Sequence, residues 1–210
     1  MKLKNPWREL PQRPDYVLPQ DRDAVEAANA KNAEKAKKGP YSRNAWRYEY
    51  HLNLLPDPYI GNLNAPVVLF SLNPGYTRKA PHDGNCNDDW WHSNSVELRE
   101  AYRRNFNEEW STYPMFFLDP IFSDNPGGRY WSHKLRELVE TCGREKVAQN
   151  LVTIEFFPYH SNRFHGGCAV PSQEFARYQM RRAMARNAVV LIVRAETALL
   201  AAIPELRKYP

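Results

Sequence analysis

Cysteine is scarce: three in 210 residues, at positions 86, 142 and 168. An odd, widely spaced set forms no disulfide framework and no paired Cys-x-x-Cys zinc unit, so a reducing cytoplasm is the expected compartment. A four-cysteine iron–sulfur cluster is excluded for one such chain. Glycine is also low, 9 against 17 prolines, which predicts stiff turns rather than loose linkers. No apolar run reaches the length of a membrane span. Residues 1–7 lack the apolar core of a secretory leader. The Gly-x-Ser-x-Gly elbow of serine hydrolases, the P-loop and the dinucleotide glycine pattern are all missing.

What is present is positive charge and aromatic surface. Lys and Arg number 29 against 24 Asp and Glu, a net charge of +5. Nineteen of the basic residues are Arg, the better side chain for planar, bidentate phosphate contacts. Such an excess is compatible with DNA or a nucleotide as partner, and no membrane and a monomeric chain are expected. Aromatic residues make up 13%, enough to fill a core and still leave faces for stacking on bases.

Patterning divides the chain. Residues 1–21 carry Pro6, Pro11, Pro14 and Pro19, which forbids a long helix and predicts an extended arm. An Ala- and Lys-rich surface helix is expected over 24–38, capped by Asp21 or Asp23 and stopped at Gly39-Pro40. Trp46, Tyr48, Tyr50 and Leu52 alternate with polar residues, which predicts a half-buried strand. Residues 56–61 read as a turn, and 77–95 as a polar, turn-rich stretch. Apolar runs at 66–72, 151–157 and 188–193 predict strands buried on both faces. Helices are expected from Ser93 or Ser95 to about 104, over 131–142 with Cys142 in the core and Gly143 as cap, over 172–186, and over 197–203. Between the first two lies an aromatic, Pro-rich loop at 110–129. Strands alternating with helices imply a parallel sheet, and ligands then bind beyond the strands' carboxyl ends. Those ends fall at Asn73–Tyr76, Phe157–Asn162 and Arg194–Glu196.

The stretch Leu55-Pro56-Asp57-Pro58-Tyr59-Ile60-Gly61, followed by Ala65-Pro66-Val67-Val68-Leu69-Phe70-Ser71-Leu72-Asn73-Pro74-Gly75, resembles the first motif of the uracil-DNA glycosylase superfamily. It is most similar to the mismatch-specific and single-strand-selective branches. The resemblance implies a three-layer α/β/α sandwich with a parallel central sheet, spanning 41–210 behind an N-terminal arm and surface helix at 1–40. It implies hydrolysis of the N-glycosidic bond of uracil or another damaged base in DNA, as in DNA repair. Asn73 would position the attacking water, which suits an oxocarbenium-like transition state. The flipped base would lie among Pro74, Gly75, Tyr76, Phe116, Phe117, Phe157, Tyr159 and Ser161. No cofactor or metal is implied.

Two departures from the family pattern stand out. The Asn that reads the uracil edge near the end of the second strand is replaced by Glu155-Phe156-Phe157-Pro158-Tyr159-His160-Ser161, and Asn162 comes several residues late. The chain reaches Tyr209-Pro210 about where the family's last strand and its His-bearing motif would begin, so either a shortened chain or a fold modified to lack that strand is expected. His160, at a strand end, is the candidate substitute for helping the base depart. The sets His160, His165, Cys168 and His82, Cys86, His92 match no firm zinc spacing. The alternative to an enzyme is a non-catalytic module that holds a nucleotide or nucleic acid in the same pocket.

Overall fold

The computed structural model describes residues 3–37, 46–78, 87–164 and 168–210. The chain is mixed α/β, with eight α-helices among the described residues around an open four-stranded sheet. The strands are β1 (Tyr59–Ile60), β2 (Val67–Ser71), β3 (Leu151–Glu155) and β4 (Val189–Ile192), in spatial order β1-β3-β2-β4. β2 pairs in parallel with both β3 and β4, while β1 runs antiparallel to β3. The wholly parallel sheet expected from the sequence is therefore corrected. The residues read as a turn at 56–61 contain a two-residue edge strand, too short to leave any alternation. Gly61 follows it at φ +114°, where a Cβ would lie 2.7 Å from the Leu151 carbonyl oxygen. Close approach and left-handed backbone both call for glycine there.

β2 and β3 form because their apolar, largely β-branched residues are covered on both faces. Val68, Phe70 and Val152 are fully buried, and all five positions of β3 are inaccessible. β4 differs from expectation. Val190 and Ile192 pack on the core, but Val189, Leu191 and Val193 are exposed. The exposure alternates along β4, so one of its two faces is left without a covering layer.

The helices are α1 (Arg22–Lys37), α2 (Asp88–Asn94), α3 (Val96–Asn107), α4 (Pro126–Lys134), α5 (Arg136–Cys142), α6 (Arg144–Asn150), α7 (Gln173–Ala185) and α8 (Glu196–Ala202). The predicted stop of α1 at Gly39-Pro40 lies outside the described residues. α2 was not foreseen in the polar stretch at 77–95. Asn87 starts it by accepting from the Trp90 amide at 2.9 Å, with Asp88 and Asp89 in the first turn. The single helix expected at 131–142 is broken at Leu135 (φ −104°, ψ 13°). Its first part starts earlier than expected because Asn125 accepts from the Gly127 and Gly128 amides ahead of Pro126. α5 buries no residue, and Cys142 is exposed rather than core.

No strand forms at 46–52, where a 3-10 turn covers 46–48. Asparagines of α1 take the place of a neighbouring strand. Asn29 accepts from the Tyr50 amide at 2.8 Å and donates to its carbonyl at 2.9 Å, and Asn32 donates to the Tyr48 carbonyl at 2.8 Å. The N-terminal arm packs into the same core through Trp7, Tyr16, Val17 and Leu18. Asp21 pins it, accepting from the Tyr159 hydroxyl at 2.8 Å and the Ser172 amide at 3.0 Å. No helix among the described residues is long and apolar enough to cross a membrane.

Candidate functional site

The parallel register sets Ser71 beside Glu155 at the carboxyl ends of β2 and β3. Beyond them the chain turns at Asn73-Pro74-Gly75 and at Pro158–Ser161. The two turns are tied together: the Phe157 amide donates to the Leu72 carbonyl at 2.8 Å, and the Ser161 amide to the Pro74 carbonyl at 3.3 Å. A cavity of about 140 Å³ opens here. An apolar cavity of about 150 Å³ accepts a benzene ring, so this hollow has the size of one six-membered ring. Phe117, Pro126, Tyr130 and Trp131 give it apolar walls. Asp57, Asp88, His92, Glu155, His160 and Arg194 give it titratable and charged groups. Gly75 lines it too, with no atom within 4 Å of where a Cβ would stand. Neither packing nor a positive φ requires glycine at 75, which leaves room for a ligand as the physical use of its missing side chain.

Leu55 holds both histidines with one peptide backbone. Its amide donates to His92 Nδ1 at 2.9 Å, and its carbonyl accepts from His160 Nε2 at 3.0 Å. A ring nitrogen that accepts carries no proton, so His92 is neutral with its proton on Nε2. Burial, and then the nearby His160 charge, hold His92 well below the ordinary histidine range. His160 is the opposite case. Its Nδ1 lies 2.6 Å from the Gly75 carbonyl, so each ring nitrogen faces an oxygen that can only accept. Only the imidazolium satisfies both. The Asp57 carboxylate, 3.7 Å from His160 Nε2, supplies the counter-charge, and the two imidazole rings meet edge to face at 5.6 Å.

The acids are perturbed upward. Burial raises Asp57, partly offset by His160 and by the hydrogen bond that the Tyr102 hydroxyl donates to it. Asp88 is pushed up to about 6, mainly by burial, and accepts from the Thr77 amide at 2.5 Å. Glu155 is held well above the usual carboxylate range by burial and then by Asp57, against the pull of Arg194 and the Ser71 hydroxyl. Its Oε2 has no hydrogen-bond partner.

The residues singled out from the sequence separate into three groups. Pro74, Gly75, Phe117 and His160 line the cavity. Asn73 and Ser161 sit behind that wall, where the Asn73 amide nitrogen donates to the Pro74 carbonyl at 2.9 Å and to Ser161 Oγ at 3.0 Å. Both bonds go through nitrogen, which fixes the amide's orientation and leaves Oδ1 as an acceptor. Tyr76, Phe116, Phe157 and Tyr159 lie elsewhere. Tyr76 stacks on His51 at 3.6 Å and donates to Asp89 at 2.6 Å. Phe157 packs on Tyr50 at 4.6 Å, and Tyr159 is bonded to Asp21. Phe116 lines a separate hollow of about 270 Å³ beside α3, where Glu100 is paired with Arg103 and Arg104. Asn162 donates to the Tyr76 carbonyl at 3.2 Å. Of the considered metal sets, His82, Cys86 and His165 lie outside the described residues.

Sequence reasoning missed Asp57, Asp88, His92 and Trp131 as cavity residues. Glu155 carried a signal of its own, as the one acidic residue closing an otherwise apolar strand. No family model matches the chain, and neither a curated protein nor a solved structure matches it.

Proposed function

We propose that this chain is a glycosylase-like hydrolase that cleaves the N-glycosidic bond of uracil or another damaged base in DNA, on a three-layer α/β/α sandwich. One observation carries the reading: Pro74 and Gly75, which follow Asn73, line a ring-sized cavity at the strand ends together with His160. A base flipped from the stack fits against Phe117 and Trp131, which exclude water. Water adds to C1′ of the sugar, and the C1′–N bond breaks with its electron pair passing to the base. His160 stabilises the negative charge that develops on the base. Asn73 Oδ1 accepts a hydrogen bond from the attacking water. Asp88, poised near neutrality, takes the proton that the water gives up, and the departing base is protonated from solvent.

The test is release of free base from single- and double-stranded oligonucleotides that carry deoxyuridine or other lesions. Release by the full chain, lost in Asn73→Ala with the unfolding midpoint retained, is the expected result. Intact substrate with every lesion would overturn it. One observation favours the second reading, a binding module without turnover: Asn73 is not itself part of the cavity wall. That reading gives salt-dependent binding of the same oligonucleotides with no base released.

A further inference from the structure

The hollow of about 270 Å³ lies between α3 and the 3-10 turns Phe116–Leu118 and Pro120–Phe122. Phe116 lines it, whereas Phe117 lines the strand-end cavity, so one short turn separates the two spaces. Because about 150 Å³ accepts a benzene ring, this volume accepts a large aliphatic or aromatic side chain with adjoining backbone. Trp110 and Tyr113 stand in the same lining, half-buried, with their bodies packed on the core. The Trp110 Nε1–H and the Tyr113 hydroxyl meet no partner among the described residues. Val96 and Ile121 also line the hollow and are 64% and 60% exposed. Large apolar side chains left bare beside an aromatic hollow mark a docking surface. Charge says what docks there. Glu97, Glu100, Glu109 and Asp119 line the hollow with one guanidinium, Arg104. Arg104 pairs with Glu100, and Arg103, outside the lining, reaches both Glu100 and Glu109. Four carboxylates against two guanidiniums leave two negative charges, in a chain whose net charge is +5. Glu97 and Asp119 form no ion pair among the described residues. Glu97 accepts from the Ser95 hydroxyl at 3.0 Å, and Asp119 from the Ile121 amide at 3.0 Å.

We propose that this hollow docks a basic segment of a partner protein, which seats one large apolar side chain between flanking Lys or Arg residues. The apolar side chain displaces water from the lining of Ala101, Phe116 and Phe122. The aliphatic stems of the flanking residues cover Val96 and Ile121, and their charged ends meet Glu97 and Asp119. Trp110 and Tyr113 donate to carbonyls of the segment through the groups that the fold leaves unpaired. A small molecule would fill the hollow and leave the two exposed aliphatic residues bare. A nucleic acid is repelled by the same carboxylates, because its affinity rests on cations that meet its phosphates. The surface is therefore independent of the strand-end cavity and of the chemistry proposed there.

Fluorescence anisotropy with labelled peptides and the full chain tests the assignment. The probe is Gly-Lys-Arg-Phe-Arg-Lys-Gly. One control carries Gly in place of Phe, and the other carries Glu in place of every Lys and Arg. The probe saturates the chain, and each control binds at least about tenfold more weakly. Trp110→Ala weakens the probe at least about tenfold. Ile121→Ser, at an exposed residue, leaves the unfolding midpoint in place and weakens the probe at least about threefold, so the test stands even where Trp110→Ala fails to fold. Glu97→Gln combined with Asp119→Asn keeps both local acceptors and removes two charges. It weakens the probe at about 0.05 M salt and has little effect at about 0.5 M, where such exposed pairs are screened. No saturation at millimolar probe, equal binding of either control, or binding unaltered in Ile121→Ser overturns the assignment. A dimer of the chain alone in sedimentation, dissociated by Ile121→Ser, also overturns it, because a second copy then fills the hollow.

Discussion

Removing the charge of His160 should unmask the cost of burying Asp57. The two groups lie 3.7 Å apart, and their side chains are 6% and 12% exposed. At an effective dielectric constant near 20, opposite unit charges at that distance attract by about 4–5 kcal/mol. Removing one member of a buried pair costs about 3–5 kcal/mol in general. His160→Gln keeps a donor for one of the two carbonyls and deletes the charge, so about 3–4 kcal/mol is expected at pH 7.5. Asp57 has an escape route, because it can take up a proton. Burial already raises it, and without His160 it rises further. A carboxyl raised in the folded state stabilises the fold at low pH, and that contribution is lost as pH climbs through its folded value. The variant should therefore recover stability on acidification, by about 1.4 kcal/mol for each pH unit over which Asp57 titrates. Urea unfolding followed by tryptophan fluorescence at pH 7.5 and pH 5 measures both effects. Asp57→Asn placed in the His160→Gln background should restore about 2 kcal/mol or more at pH 7.5, since neither buried charge then remains. A cost below about 1 kcal/mol that is equal at both pH values would refute the imidazolium–carboxylate pair.

Two further expectations concern the same neighbourhood. Asp88, raised to about 6 mainly by burial, stabilises the fold in its protonated form. Stability should fall by up to about 3 kcal/mol as pH rises from 4 to 7, and Asp88→Asn should remove that slope. Denaturant melts across this range provide the check. Two glycines, Gly128 in α4 and Gly75 on the cavity wall, should behave oppositely. A Cβ at Gly128 would lie 1.9 Å from the Phe122 carbonyl oxygen, so Gly128→Ala must displace the start of α4 and cost several kcal/mol, on the order of 3. A Cβ at Gly75 meets nothing within 4 Å, so Gly75→Ala should shift the unfolding free energy by less than about 0.5 kcal/mol.

The parts of the fold legible in the sequence are those whose signal is local. β2 and β3 could be read because a strand covered on both faces is an apolar run, and α7 because Phe175, Ala176, Met180 and Ala183 recur at helical spacing on its buried side. The alternation at 46–52 misled for a physical reason. Period two records which side chains are covered, not who satisfies the backbone, and here Asn29 and Asn32 do so from α1. α2 went unread because its start depends on a single capping bond from Asn87, which composition does not reveal. β4 read as buried because its residues are apolar, yet burial also needs a layer packed on each face, and one face of β4 has none.

The site divides along the same line. Asn73, Gly75 and His160 could be placed together because each follows a strand, and parallel strands deliver their ends to one edge. His92 and Asp88 arrive on a helix, and Asp57 on the approach to β1, so no rule about strand ends reaches them. The backbone of Leu55 ties His92 to His160, donating to the first and facing the second with its carbonyl. That one residue treats two chemically identical side chains differently: it donates to His92, which is neutral, and its carbonyl faces His160 Nε2. Spacing along the chain cannot encode this difference, because His92 meets the N–H of one peptide unit and His160 the carbonyl of the next. The asparagine-led corner and the histidine pair are therefore separable. Exchanging Asn73 removes its bonds to the Pro74 carbonyl and Ser161 Oγ, whereas a change that shifts the backbone at Leu55 should disturb both rings.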